Sequence, residues 1–487
     1  MPPIIYNYIY IRMVFMNKVI KNFFSMGFST IVSQLVSFLT VTYSAHVLDK
    51  SGFGDISTVQ AIIVYFSITV LFGLQTYGQR EVAKDRANIE NIVGEITAFR
   101  IIIFILSFIV LIVLAFILSF NSKSMAVLLI LYSLTLLPNA LCIDWVYNGI
   151  QEMKYNAVYN VLKNVIPFIL IYLFLKKPSQ INYYVVFILL GLAVATIYQF
   201  YIYFFREKFS LKLKINWNGI KKYTLYGWPF LASGILATIN LNVDRIVIRF
   251  SWGSAVTGIY ASAYTIISFL TNIETIIFGV VFPLMISYYN DKNMTALKEL
   301  IKNVSKVVVA VITPIVLGGI ILSKDIIVLL FGKVYESAYM PFSILLFYTL
   351  ILFVREVYAY GLNAWNMEKK YLKAVTISSL FNLIVNLILT PYFGMNMAAL
   401  ITVASEVITI AIMKYYSDKI VKVAKYEFYL KILLPCFSMG AVTWILKYFH
   451  VNVVLNIILS AVGYLVFVII FKYFTVDDIK KIAVRKS

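Results

Sequence analysis

A few charged side chains stand inside long apolar stretches, where a charge needs an explanation. Glu406, in Val403-Ala404-Ser405-Glu406-Val407-Ile408, lies close to the middle of an apolar run long enough to cross a bilayer. An ionisable group at that depth costs at least about 2.5 to 3.5 kcal/mol on insertion scales, and its side chain does not reach water. Carrying a proton, coordinating an ion and orienting an arginine are the chemistries open to it. The structural alternative is a protonated Glu bonded to a neighbouring helix. Arg355 and Glu356 end an apolar run of roughly 17 residues and precede the Tyr358 to Trp365 stretch, which places both inside the inner half of a bilayer. As neighbours in sequence they should point in different directions on a helix and not simply neutralise one another. Either they face a wet cavity or each has its own structural partner. Glu274, two residues after Asn272, is of the same kind.

A second set sits nearer to the ends of spans. Asp244, Arg245 and Arg249 follow Lys222 by about 22 to 27 residues, which at about 1.5 Å each puts them close to the outer interface. Arg245 and Arg249 share a helix face at i,i+4, an unfavourable pairing unless an anion or carboxylate lies between them. That makes them candidates for clamping an anion, with snorkelling to headgroups as the alternative. Lys163, one or two turns into its span, is either a cavity residue or a snorkelling one. Arg80, Glu81 and Asp144 stand at cytoplasmic helix ends, where gate salt bridges and ordinary anchors look alike.

Other chemistries lack their residues. Cys142 and Cys436 are the two cysteines, both inside apolar spans, so neither a disulfide nor thiol chemistry is expected. His46 and His450 are far apart and near span ends, and no metal site is expected. No GxxxxGK[ST] segment is present, and no connection is long enough for a nucleotide-binding domain. Nor does any large external loop carry the paired carboxylates that a membrane glycosyltransferase uses. The chain does not read as an enzyme, and no cofactor is implied.

The elements that position these residues are membrane helices. Hydrophobic residues make up 61% of the 487 residues and charged ones 13%, far from a soluble domain. Apolar stretches of about 20 residues recur almost without interruption, and about 14 of them fit. The third is expected to start near Ile101, the seventh near Tyr223, the ninth near Val304 and the twelfth near Met397. Runs apolar on every face exclude the alternating strands of a membrane barrel. The expected fold is therefore all-α and polytopic. Most of the 42 Lys and Arg fall on the side of the termini, which makes both termini cytoplasmic. The net charge of +20 then reflects topology and contact with anionic lipid, not nucleic acid. Residues 1–15 lack a basic start and a cleavage site, so they do not read as a signal peptide. Met16-Asn17-Lys18 looks the more natural start.

The chain also resembles itself. Gly54 to Ile62 can be laid on Gly258 to Ile266. Tyr147-Asn148-Gly149 with Met153 and Tyr155 parallels Tyr360-Gly361 with Met367 and Tyr371. Asn160 with Asn164 parallels Asn382 with Asn386. Three matches in register point to two pseudo-symmetric six-helix bundles of the same orientation, related by an axis along the membrane normal. The expected organisation is a first bundle over 1–206, a basic cytoplasmic linker over 207–222, and a second bundle over 223–420. Two further helices and a basic tail follow over 421–487. Bundle pairs of this kind enclose a cleft that opens to either side, the architecture of a transporter.

At this point the chain resembles the Wzx-type O-antigen flippases, the polysaccharide-transporter branch of the multidrug/oligosaccharidyl-lipid/polysaccharide exporter superfamily. The resemblance is carried by Gly73-Leu74-Gln75-Thr76-Tyr77-Gly78-Gln79-Arg80-Glu81 and Asp144-Trp145-Val146-Tyr147-Asn148-Gly149. In the second half it rests on Asn242-Val243-Asp244-Arg245, Gly258-Ile259-Tyr260, Leu330-Phe331-Gly332, and Asn386 with Pro391 and Gly394. It implies a multi-pass protein of the bacterial inner membrane that moves undecaprenyl-diphosphate-linked oligosaccharide to the periplasmic leaflet by alternating access. Monomeric action beside a polysaccharide polymerase and a chain-length regulator would fit. On that reading Arg355, Arg245, Arg249 and Lys163 receive the diphosphate, while Glu406, Glu274, Glu356 and Asp244 carry protons or ions or orient the arginines. The alternatives are a drug or cation antiporter of the same superfamily and a non-transporting partner of polymerisation. The first span, Asn22 to Tyr43, has no carboxylate, which tilts the choice towards an anionic lipid.

Overall fold

The computed structural model describes residues 3–120, 122–215, 217–422 and 430–474, with side chains from Ser25 onward, Ile276 excepted. The tail expected after residue 474 and the segment 423–429 lie outside the described residues, as do the side chains around Met16.

No strand occurs among the described residues. The helices are α1 (Pro3–Leu71), α2 (Leu74–Lys84), α3 (Ile89–Ser119), α4 (Lys123–Ser133), α5 (Leu136–Leu141), α6 (Asp144–Gly149), α7 (Lys154–Phe174) and α8 (Ile181–Tyr201). They continue as α9 (Trp217–Asn290), α10 (Met294–Ile321), α11 (Ser323–Phe331), α12 (Tyr339–Ala364), α13 (Glu368–Ser417), α14 (Leu433–Tyr448) and α15 (Val453–Ile470). Ten helical stretches among the described residues are long and apolar enough to cross a membrane, and α14 is a shorter apolar helix.

Three of them are too long for a single crossing. α1, α9 and α13 run for 69, 74 and 50 residues. At about 1.5 Å per residue they exceed a hydrocarbon core of about 30 Å at least twofold. Each contains one residue of non-helical backbone: Asp49 (φ 57, ψ 178), Gly253 (φ 84, ψ 174) and Gly394 (φ 75, ψ −162). Glycine adopts that geometry without a Cβ penalty. Asp49 adopts it as a helix cap, its Oδ1 accepting from the backbone N–H groups of Ser51 at 2.8 Å and Gly52 at 2.9 Å. The repeated segments beginning at Gly54 and Gly258 thus follow breaks at Asp49 and Gly253 with the same spacing. A second parallel appears where the helices before Met153 and Met367 close. Gln151 (φ 61) and Asn366 (φ 57) are both left-handed, and Glu152 and Met367 donate back to the Tyr147 and Leu362 carbonyls.

Two of these helices start well before their apolar runs. α3 begins at Ile89, not near Ile101, and α10 at Met294, not near Val304. In α3 the charged residues Glu90, Glu95 and Arg100 alternate with Ile89, Val93, Ile96 and Phe99, which are buried in a cluster with Trp145, Tyr147, Tyr203 and Tyr223. Helical periodicity, not hydropathy, sets this boundary.

The chain forms two compact units, Met1–Thr238 and Ile239–Ser487, whose boundary falls inside α9. In the first unit, the pass built from α4, α5 and α6 is interrupted at Cys142 and Ile143. Broken backbone inside a membrane needs protein partners. The Cys142 carbonyl accepts from Arg100 at 3.0 Å, the Ile143 N–H donates to Gln199 at 3.2 Å, and the Asp144 carbonyl accepts from Asn156 at 2.7 Å. In the second unit, a core of Val309, Ala310, Cys436, Met439, Tyr464 and Val468 packs α14 and α15 against α10.

Candidate functional site

The second unit gathers the deep charges. Arg355 on α12 donates through Nε to Glu406 Oε1 at 2.6 Å and through Nη2 to Glu356 Oε1 at 2.7 Å. The three side chains are 12%, 6% and 12% exposed. The expectation that Arg355 and Glu356 cannot neutralise one another is therefore corrected. Their Cβ vectors diverge, but both side chains are long enough to bend back and meet. Glu406 arrives from the second half of α13, so one guanidinium is held between two carboxylates by charge-assisted bonds.

Glu274, on the second half of α9, stands within electrostatic reach of Arg355 and Glu356, facing the Tyr360 hydroxyl. The Tyr360 ring is fixed by stacking on Phe278, with centroids 4.8 Å apart and planes 6° apart. Glu274 is buried, and its Oε1 has no hydrogen-bond partner among the described residues. The cluster thus contains three carboxylates and one guanidinium. Orphaned buried polar atoms of this kind mark a place where something else binds or where charge changes.

Asp244 belongs to a second polar centre in the same unit. It is 2% exposed. Oδ2 accepts from the Tyr260 hydroxyl at 2.6 Å and the Thr402 hydroxyl at 2.7 Å, and Oδ1 accepts from Asn386 Nδ2 at 2.9 Å. The bonds continue from Asn386 to Asn382 at 3.1 Å and from Asn382 to Ser405 at 3.2 Å, ending one residue before Glu406. Ser378, Asn382, Asn386 and Thr390 recur every fourth residue along α13 and build one wall of this ladder. Arg245 stands within electrostatic reach of Asp244. Its guanidinium lies 5.1 Å from the Tyr264 ring and hydrogen-bonds the Asn242 side chain. Arg249 lies half-buried one turn further on.

The remaining residues singled out by sequence lie in the first unit. Lys163 places its Nζ 5.2 Å from the centroid of the Tyr159 ring, within electrostatic reach of Asp144. Asp144 is half-buried, and its Oδ1 accepts from the Trp145 N–H at 2.8 Å. Glu81 pairs with Lys84 at 3.1 Å and not with its neighbour Arg80, which is exposed.

Among the described residues of this unit, the most deeply buried cation is one that sequence reasoning passed over. Arg100 is 1% exposed, lies 6.0 Å from the Trp145 ring, and spends one N–H on the Cys142 carbonyl. Nε and Nη2 have no partner among the described residues. The available signal was the periodicity of Ile89, Val93, Ile96 and Phe99, which carries the helix past Arg100 into the interior.

The described residues are helical, with many membrane-length helices and a few charges buried among them, which is the construction of a multi-pass membrane protein. Residues 19–289 match the family described as polysaccharide biosynthesis protein, and the chain belongs to that family. A protein of Shigella dysenteriae named "Putative O-antigen transporter" is 20% identical over 233 residues, 47% of this chain. The match spans 58% of that relative's length. Among solved structures, the lipid II flippase MurJ in its inward closed conformation aligns over 92% of this chain and 98% of its own, with a TM-score of 0.73 and 17% identity. A multidrug resistance MATE family transporter of the MOP superfamily, inward-facing, aligns over 80% of this chain and 96% of its own, with a TM-score of 0.62 and 12% identity. At these identities the likeness establishes the fold alone.

Proposed function

We propose that this protein flips an undecaprenyl-diphosphate-linked oligosaccharide from the cytoplasmic to the periplasmic leaflet of the bacterial inner membrane. Reading α1, α9 and α13 each as two passes across its break, and α14 as one, turns the ten long apolar helices into fourteen passes. Two six-helix halves and a C-terminal pair then follow, with both termini on the Lys- and Arg-rich cytoplasmic side. Alternating access between the halves moves the headgroup.

The observation that carries this reading is Arg355, a buried guanidinium held by Glu356 and Glu406 with Glu274 beside them. One guanidinium does not balance three carboxylates in a low-dielectric interior, so the cluster takes up protons or a cation as it works. When a carboxylate is neutralised, Arg355 becomes available to a diphosphate. When the carboxylate ionises again, it displaces that anion. Substrate binding is thus linked to charge uptake, and substrate release to its loss, through one side chain. An inside-negative potential adds about 2.3 kcal/mol per exported negative charge per 100 mV. Asp244 is proposed as a further coupling carboxylate, connected by the ladder of α13 to Ser405, the neighbour of Glu406. The chain is a transporter and not an enzyme, and no nucleotide is consumed by it.

The excess of carboxylates favours one second reading, a drug or cation antiporter. Deletion of the gene in its native strain separates the two. Loss of surface polymer with lipid-linked repeat units retained on the cytoplasmic side supports the flippase. Unchanged polymer with altered sensitivity to cationic drugs overturns it in favour of the antiporter.

A further inference from the structure

The first unit contains a pocket of about 370 Å³ that the reading above does not use. Two helix stripes line it. α2 contributes Tyr77, Arg80, Glu81 and Lys84, which share one face at i, i+3, i+4 and i+7, while α9 contributes Lys222, Tyr226 and Phe230 at i, i+4 and i+8. The opposite face of α2 is fixed in the core. Gly78 packs so closely on Trp145 that a Cβ there would lie 2.5 Å from the indole, and Val82 is fully buried. The pocket stripe is therefore presented by an anchored helix.

Its chemistry is cationic and aromatic. Arg80, Lys84 and Lys222 face a single carboxylate, Glu81, which is occupied by Lys84 at 3.1 Å. Arg80 has no ion pair among the described residues. Lys222 lies 5.7 Å from the Tyr77 ring and 5.3 Å from the Tyr223 ring. Tyr223 is held in turn by a 2.5 Å hydrogen bond from its hydroxyl to Glu95. Tyr77 and Tyr226 stack with centroids 5.0 Å apart and planes 29° apart. Three lining cations against one lining carboxylate, with Lys222 also within electrostatic reach of Glu95, stand beside an aromatic wall and match a ligand with two adjacent phosphates and an apolar sugar face. The volume is in the range of small-ligand sites. The pocket lies at the end of the second proposed pass, the side of the basic connection 207–222.

We propose that this pocket is a docking site for the diphosphate-saccharide headgroup at the cytoplasmic face. Arg80 and Lys222 pair with the diphosphate, and Tyr226 packs against the first sugar. The proposal rests on the flippase reading for the identity of the ligand, though not for the existence of an anion site.

The test is calorimetric titration of the full chain in phosphatidylcholine nanodiscs with a short-chain prenyl-diphosphate N-acetylhexosamine and, separately, with inorganic pyrophosphate. The Arg80→Gln/Lys222→Gln variant, checked for an unchanged unfolding midpoint, should bind both probes at least tenfold more weakly. Tyr226→Leu should weaken the saccharide probe severalfold and leave pyrophosphate unchanged. Wild-type affinity in the double variant overturns the proposal. If phosphatidylglycerol in the disc abolishes binding of both probes at the proportion found in native membranes, the site serves a phospholipid headgroup and the substrate assignment falls. Flipping in proteoliposomes separates the two claims. Wild-type flipping with unaltered binding in the double variant removes the pocket and leaves the flippase. No flipping by the wild-type protein, with pyrophosphate binding weakened in the double variant, removes the flippase and leaves an anion site.

Discussion

Removing the guanidinium from the Arg355 cluster should be far more damaging than neutralising one of its carboxylates. In Arg355→Met both Glu356 and Glu406 lose their bonds of 2.7 and 2.6 Å inside the second unit. Removing one partner of a buried ion pair costs about 3 to 5 kcal/mol, and two stranded carboxylates put this variant at the upper end. Glu406→Gln keeps an acceptor for Arg355 Nε and leaves Glu356 as the counter-charge, so the loss should be about 1 to 3 kcal/mol. The double variant strands one carboxylate where Arg355→Met strands two. Its loss should fall short of the summed single losses by about 1 to 3 kcal/mol, a coupling that distant residues do not show. Denaturant titration of purified protein in mixed micelles reads all three, and a flipping assay with and without a proton gradient reads the consequence. Glu406→Gln should exchange substrate while losing its response to the gradient. Equal losses for Arg355→Met and Glu406→Gln, or strict additivity in the double variant, would refute the reasoning.

Other expected outcomes follow from the same geometry. Asp244→Asn puts an amide donor among the donors Tyr260, Thr402 and Asn386, and should cost about 1 to 3 kcal/mol in unfolding and abolish gradient-driven transport. Asp49→Ala removes the cap from a residue at φ 57 and should lower stability by about 1 to 3 kcal/mol, while Asp49→Gly should cost less. Gly253→Ala meets no atom within 4 Å, so any loss, about 1 to 3 kcal/mol, is purely backbone strain at φ 84. Arg100→Met leaves the Cys142 carbonyl without its donor at the break in the fourth pass and should cost about 1 to 3 kcal/mol, most of it recovered by Arg100→Lys. Thermal unfolding of the purified variants checks all of these.

Much of this was readable from the chain because apolar runs turn residue number into depth. Counting along a run located Glu406, Arg355, Glu356 and Glu274 as charges in the interior. Counting gives height along a helix, not the direction it faces. Asp244 therefore reads as a residue near the outer interface, whereas azimuth turns it into a network with Tyr260, Thr402 and Asn386. The pairing of Arg355 with Glu406 joins residues 51 apart in sequence and leaves no local signal. Arg100 escaped because hydropathy starts its span one residue later, while the helix that buries it starts at Ile89. The hydroxyl ladder escaped because serine and threonine are ordinary in membrane helices. Only the fourfold recurrence of Ser378, Asn382, Asn386 and Thr390 marks it.

The breaks at Asp49, Gly253 and Gly394 are each one residue long, and on the proposed topology all three turn the chain at the periplasmic surface. A joint that short has no slack. Neither arm can slide past the other by a helical turn, so each pair of passes swings as one lever. It also leaves almost nothing at that surface for an antibody, a protease or an inserted tag to grip. A tag spliced at 49, 253 or 394 should disable the protein. The non-helical stretch 208–215 can take up the added length.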